Sequence, residues 1–116
     1  MYKIIAIIVR KDGLTREEFL RHWQEDHPAF VRRLHGVRRY RQNVAIDHPT
    51  PWPADGVAEL WFDSLKDIAI AFDRERSAEL FAHEAHFIGD LKWLITEEVE
   101  VPLDAMDADR PAPHLA

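Results

Sequence analysis

Residues 15–40 read TREEFLRHWQEDHPAFVRRLHGVRRY, and the fold is decided there. Phe19, Leu20, Trp23, Phe30, Val31 and Leu34 recur at helical spacing, which predicts an amphipathic helix with one apolar stripe. His27 falls on that stripe, so a titratable ring is expected to point inward. Pro28 follows it at once. Proline has no N–H and clashes with the carbonyl one turn back, so the helix is expected to break or kink at the histidine. Thr15 and Glu18 make a T-x-x-E capping box, and Leu14 with Phe19 the matching hydrophobic staple, which specifies where the helix starts. Gly36 lies just past Leu34, where a glycine C-terminal to a helix belongs.

Upstream, Tyr2 to Arg10 is rich in isoleucine and valine on both alternating faces, which predicts a strand covered on both sides. Downstream, Val37 to Ile46 reads as a second strand and Val57 to Phe62 as a third. Residues 47–56 between them hold three prolines and read as a loop. Ser64 and Asp67 fit the cap of a further helix with Leu65, Ile68, Ala69 and Phe72 on its inner face. A break over Asp73 to Ser77 is expected to precede a second helical piece carrying Leu80, Phe81, Phe87, Ile88 and Leu91. The last strand is placed at Lys92 to Val101, with Trp93, Ile95, Val99 and Val101 on one face. Strand, helix, strand, strand, helix, strand is the ferredoxin-like βαββαβ order: an α+β fold with helices on one face of a four-stranded antiparallel sheet. The first strand is apolar on both faces, so two copies are expected to pack sheet against sheet as a two-fold homodimer, a closed dimeric α/β barrel. The expected domain is residues 1–101, followed by a polar, proline-bearing tail at 102–116 that is disordered or packed on the partner chain.

Length and composition exclude several classes. The chain has 116 residues, enough for one domain with its own core. It contains no cysteine, which rules out disulfides, thiolate catalysis and cysteine-ligated metal sites. The apolar start is too short to span a bilayer and carries neither a basic leader nor a cleavage site, so a cytoplasmic protein without a membrane partner is the expectation. A formal charge of −6 disfavours nucleic acid, and the local cluster Arg32, Arg33, Arg38, Arg39 and Arg41 has no interleaved aromatic signature. No phosphate-binding glycine loop or nucleotide motif is present.

The runs RKDGLTREEFLRHWQEDHPAFV, GVRRYRQN, GVAELWFDSL and HEAHFIGD, in this order, resemble the EthD-like family of dimeric α/β-barrel proteins, over about Met1 to Val101. His83 stands where that family often has an acidic residue before the glutamate matching Glu84. Proteins of this kind include cofactor-free isomerases of muconolactones and decarboxylases or dehydratases of polyketide pathways. In the muconolactone methylisomerases a histidine of the first helix and a tyrosine of the next strand line the pocket, and these match His27 and Tyr40. The resemblance therefore implies acid–base chemistry on a small carbonyl compound, without a cofactor.

The residues themselves support such chemistry. A neutral imidazole near a sheet can take a proton at neutral pH, and Tyr40 on the following strand could hold a developing enolate oxygen. The competing reading makes His27 a core histidine bonded to a carbonyl freed by Pro28. His22, at the edge of the stripe, and Trp23, Trp61 and Trp93 are further candidates for the cavity wall, suited to an aromatic or polyketide-like substrate. Glu79, His83, Glu84, His86 and Asp90 cluster at i, i+3 and i+4. A solvated face explains most of them and no metal is assigned, but Glu84 and His86 are candidates at the cavity mouth. The expected function is a cofactor-free lyase or isomerase acting on a small hydrophobic or aromatic carbonyl substrate. The alternatives are a cofactor-free monooxygenase using Trp61 or Trp93, and a non-catalytic accessory protein that binds a hydrophobic intermediate.

Overall fold

The computed structural model describes residues 1–104. The chain runs β1 (Tyr2–Arg10), α1 (Arg16–Leu20), a π-helical turn (Arg21–Asp26), α2 (His27–Val31), β2 (Val37–Val44), β3 (Gly56–Phe62), α3 (Leu65–Ala71), α4 (Ala78–Glu84) and β4 (Ile88–Glu97). The four strands form one antiparallel sheet in the order β2-β3-β1-β4. This is the expected α+β ferredoxin-like arrangement, with the first and last elements side by side in the middle and at the edge of the sheet. Of the expected tail, residues 102–104 have no regular structure and 105–116 lie outside the described residues. No helix among the described residues is long and apolar enough to cross a membrane.

The first helix begins as its sequence dictates. Thr15 accepts from the Glu18 backbone N–H at 3.1 Å while the Glu18 carboxylate accepts from the Thr15 N–H at 3.0 Å. The break expected at His27 takes a particular form: the helix widens into a π turn before the proline, and the His27 N–H bonds to the His22 carbonyl five residues back. Phe19 and Trp23 are thereby driven fully into the core, where the Phe19 ring packs against Trp23 and Phe87. Each such aromatic contributes on the order of 2 kcal/mol by leaving water.

Strand alternation sorts the sheet. Ile4, Ala6 and Ile8 of β1 pair with Leu60, Ala58 and Gly56 of β3 and face the helices. Lys3, Ile5, Ile7, Glu59 and Trp61 face the other way. On that outer face Lys3 bonds to Glu59 and to Glu98, each at 2.8 Å.

Two boundaries differ from the sequence reading. Strand β2 stops at Val44, two residues short of Ile46, because Ala45 turns to pair with Asp55 instead. Strand β4 starts at Ile88 and ends at Glu97, four residues earlier at each end than the expected Lys92 to Val101. Ile88 and Leu91 are thus strand residues opposite Arg10 and Ile8, not part of the last helix, and Val99 and Val101 lie beyond the sheet. Gly89 permits the early start: a Cβ there would lie 2.8 Å from the Arg10 carbonyl oxygen.

Gly56 has the same character on the other side of β1, where a Cβ would come within 2.5 Å of two Trp23 ring carbons and 2.9 Å of the Asn43 carbonyl oxygen. Gly56→Ala is therefore expected to lower stability by roughly 1–3 kcal/mol through overpacking. Urea unfolding measures this, and a midpoint equal to that of the parent protein would show that Trp23 is free to move aside.

Candidate active site

Between the sheet and the helices lies a cavity of about 540 Å³, lined on the sheet side by small and aliphatic residues of β1 and β3. Ala6 and Ala58 leave the floor low, and Leu65, Phe81 and Trp93 form an apolar mouth. Trp93 is 61% exposed there. The polar side chains in this wall are His27, Tyr40 and Glu84.

His27 reaches the cavity because the π turn and α2 rotate it onto the inner stripe beside Trp23 and Val31. Its ring is 5% exposed. Its Nδ1 meets His83 Nδ1, from α4, at 2.9 Å, so one ring carries the proton there and the other accepts it. With Nδ1 committed, the nitrogen left for chemistry is Nε2. Burial pushes the His27 pKa down to about 4, and His83 adds to that, so the ring is neutral at ordinary pH. His83 is itself held below its usual range, chiefly by burial, and is sandwiched between His27 and the face of Phe30 at centroid distances of 5.1 and 4.5 Å.

Tyr40 comes from β2, opposite Leu60 and on the helix-facing side. Gln42, two residues on and on the same face, donates from Nε2 to the Tyr40 hydroxyl at 2.7 Å and to the Trp23 carbonyl at 2.7 Å. That carbonyl is an orphan of the π turn: its α-helical partner, the His27 N–H, has gone to His22, and its π-helical partner would be Pro28, which has no N–H. The freed carbonyl is therefore met by Gln42, not by His27 as the core reading supposed. Since the Tyr40 oxygen accepts from Gln42, its own proton is left to donate into the cavity. Burial pushes the phenol pKa up, against hydrogen bonds from Gln42 and Trp23, and so keeps that proton on. Asn43, one residue on, faces away as alternation requires and bonds to the Val57 carbonyl and Glu59.

Glu84 ends α4 with its carboxyl in the apolar wall and no salt-bridge or hydrogen-bond partner among the described residues. Burial raises its pKa to about 7. Near neutrality, then, the cavity holds a neutral imidazole, a phenol and a carboxyl poised to lose or keep its proton.

Of the residues singled out from the sequence, the cavity brings together His27, Tyr40, Trp23, Trp93 and Glu84, and it leaves out three. Trp61 is the main correction. It pairs with Lys3 on the outer face of the sheet, beneath the charged ends of Lys3 and Arg39 at 5.0 and 4.8 Å. His22, one residue before Trp23, is rotated off the stripe onto Phe87 and faces Asp26 at 3.8 Å. His86 is exposed in the turn after α4, on the far side of His83. The acidic and histidine cluster of this region also disperses, since Glu79 pairs with Arg33 at 2.9 Å while Glu84 turns inward. His22, Asp26 and His83 do place ligand-type atoms within 4.8 Å of one another. Within this set His22 Nδ1 lies 3.8 Å from Asp26 Oδ2, and His83 Nδ1 is turned to His27. The proline-rich loop does not cover the cavity: Trp52 donates to the Ile46 carbonyl, and Asp55 ties the loop to Ile8 and Arg10. The residues that sequence reasoning missed are Gln42 and, as the partner of His27, His83.

Comparison with known proteins gives consistent matches. Residues 11–90 match the family model described as EthD domain. A 4-carboxymethyl-4-methylbutenolide mutase of Pseudomonas reinekei is 23% identical over 107 residues, covering 85% of this chain and 99% of that protein. The crystal structure of an ethyl tert-butyl ether degradation (EthD) family protein of Bacillus halodurans superposes with a TM-score of 0.71 at 20% identity, covering 85% of this chain and 99% of the other. A dimeric protein of unknown function with a ferredoxin-like fold from Bacteroides fragilis superposes at 0.59 with 16% identity, covering 84% and 95%.

The raised pKa of Glu84 has a consequence for stability. The folded protein holds this proton more tightly than the unfolded chain, so the contribution of Glu84 falls as pH rises from about 4.5 to about 7 and is most unfavourable above that. Glu84→Gln removes the effect. Relative to the parent, the variant is expected to gain on the order of 2 kcal/mol between pH 4.5 and pH 8. Unfolding at the two pH values measures the gain, and a difference that does not change with pH would mean that the carboxyl is solvated.

Proposed function

The chain belongs to the EthD domain family, and on that premise we propose that it is a cofactor-free isomerase or lyase that moves protons on a small, apolar carbonyl or lactone compound. The observation that carries this reading is the convergence of His27, Tyr40 and Glu84 in one otherwise apolar cavity. The butenolide ring in the name of the Pseudomonas reinekei relative supports the lactone class, whereas the carboxymethyl group in that name has no cationic partner in this cavity among the described residues.

In the proposed reaction His27 Nε2 takes a proton from the carbon next to the carbonyl. The C–H electrons pass to the carbonyl oxygen, and Tyr40 donates its hydrogen bond to the enolate that forms. His83 accepts from the His27 Nδ1–H and so keeps Nε2 bare beforehand, the orienting role that a third group plays beside a catalytic base. Glu84 returns a proton at another carbon of the enolate, which completes an isomerisation; where Glu84 instead gives that proton to a β-hydroxyl, the C–O bond breaks, water leaves, and the reaction is a dehydration. Loss of one proton to His27 and gain of another from Glu84 leave the net charge of the cavity unchanged, which matters where water is scarce.

The monooxygenase alternative loses Trp61, which is on the wrong face, and retains only Trp93. The assembly we propose is a homodimer through the outer face of the sheet, where Ile7 and Leu94 are 39% and 48% exposed. The dimeric neighbours support it. This surface lies on the opposite side of the sheet from the cavity.

Two tests follow. Deuterium uptake from D2O into a simple butenolide, followed by proton NMR, is expected with the parent protein. His27→Gln should lower the rate by about 10²-fold or more and Tyr40→Phe by about 10-fold or more, on the scale of losing a general base or an oxyanion donor. The rate needs His27 neutral and Glu84 protonated, so it should rise through about pH 4 and fall through about pH 7. An unchanged rate in His27→Gln would remove the assignment. Sedimentation equilibrium should give twice the 13.6 kDa chain mass, and Leu94→Glu should return the single-chain mass with the fold retained; a monomeric parent would refute the assembly.

A further inference from the structure

We infer that the cavity selects uncharged, carboxylate-free substrates, and that Glu84 is the residue that turns anions away. This rests on the reading of the cavity as a substrate site and narrows its substrate class. Among the described residues no lysine or arginine lines the cavity, and its ionisable wall groups are His27, Tyr40 and Glu84. His27 is neutral and Tyr40 keeps its proton, so neither offers a positive charge. A carboxylate entering this space would give up its water with no cation to receive it, a loss worth several kcal/mol for an ion in an apolar site. It would also meet the Glu84 carboxyl, which would have to stay protonated or repel it.

An uncharged guest meets none of these penalties. Its carbonyl oxygen can accept from Tyr40, and from Glu84 while that carboxyl is protonated. The volume of about 540 Å³ suits a compound of two or three fused rings. The mouth formed by Leu65, Phe81 and Trp93 offers flat and branched apolar surface on either side. The overall charge of −6 works in the same direction, slowing the approach of anions from a distance.

The wall contrasts with the chain's own cations. Lys3, Arg39 and Arg41 gather over Trp61 on the other face of the sheet, and Arg33 and Arg38 are paired with Glu79 and Asp63 at the surface. The sequence is not short of positive charge, but the alternation of the strands keeps it out of the cavity.

The test compares two probes of one shape, 2-naphthamide and 2-naphthoate, by isothermal titration calorimetry at pH 7.5. The ring contribution cancels between them, leaving the charge. The parent protein should bind the amide about tenfold or more tightly than the carboxylate. Glu84→Gln should improve carboxylate binding by about fivefold or more and so narrow the amide-to-carboxylate ratio. If Glu84→Gln does not fold, Glu84→Met serves. Equal or tighter carboxylate binding by the parent overturns the inference, as does failure of the parent to bind either probe, or an amide-to-carboxylate ratio that Glu84→Gln leaves unchanged. Binding needs no turnover, so the same titrations on His27→Gln keep the two proposals apart: selectivity retained there alongside unchanged deuterium exchange would sink the proton-transfer reading alone, and lost exchange with no selectivity in the parent would sink this one alone.

Discussion

The arrangement of this site depends on a missing hydrogen-bond donor. Pro28 cannot offer an N–H to the helix that carries it, and the helix responds by widening one turn earlier, with the His27 N–H reaching back to His22. The Trp23 carbonyl is left without a helical partner. A buried carbonyl without a partner would cost on the order of 1–3 kcal/mol, so something must meet it. Gln42 does, from the next strand, and its second N–H holds the Tyr40 hydroxyl. One defect in the first helix thus ties helix to strand, directs the phenol and sets the histidine on the inner stripe. Backbone accounting and site geometry are here the same set of bonds.

The cavity itself is a matter of side-chain size on one face of the sheet. Ile4, Ala6 and Ile8 lie beside Leu60, Ala58 and Gly56. The two alanines and the glycine give height under the helices, and Trp23 fills the part above Gly56 while leaving the rest open. Larger side chains at Ala6 or Ala58 would fill the floor and turn the space into ordinary core. The same strands carry their charge and their bulk, Lys3, Glu59 and Trp61, on the reverse side, so one sheet supplies a dry pocket on one face and a charged, aromatic surface on the other.

Much of this was legible in the sequence. The capping box, the position of Pro28, the element order and the inward His27 all follow from local rules, because each depends on neighbours within a few residues, whereas Tyr40 as a pocket residue came from the family resemblance. The errors have local causes too. In Phe87-Ile88-Gly89-Asp90-Leu91 the apolar spacing fits one more helical turn as well as it fits a strand, and only the close approach of Gly89 to Arg10 decides between them. In Leu60-Trp61-Phe62 three consecutive apolar residues hide which face each takes, so Trp61 could not be assigned before the register with Lys3 was known. The pairing of His27 with His83 joins residues 56 apart through two packed helices, and no spacing in the chain announces it. Gln42 carried no signal because its partner is a carbonyl orphaned by a π turn, which the sequence marks only with a proline.

The electrostatics of the cavity bear on the proposed proton transfer. A histidine whose pKa is pushed to about 4 is available as a base at every ordinary pH, but it is a weak one, because its protonated form is poorly solvated and lies beside His83. A carboxyl raised to about 7 has the complementary difficulty: its ionised form is the poorly solvated one. Each group alone would carry its penalty in full during a reaction. Together they form an opposite pair at the moment the proton has moved, imidazolium and carboxylate, in a space where attraction between charges is strong because water is scarce. The burial that makes each charged form costly by itself is therefore also what strengthens the transient pair, and that is why two groups displaced from neutrality in opposite directions suit proton transfer better in this cavity than two with ordinary values would.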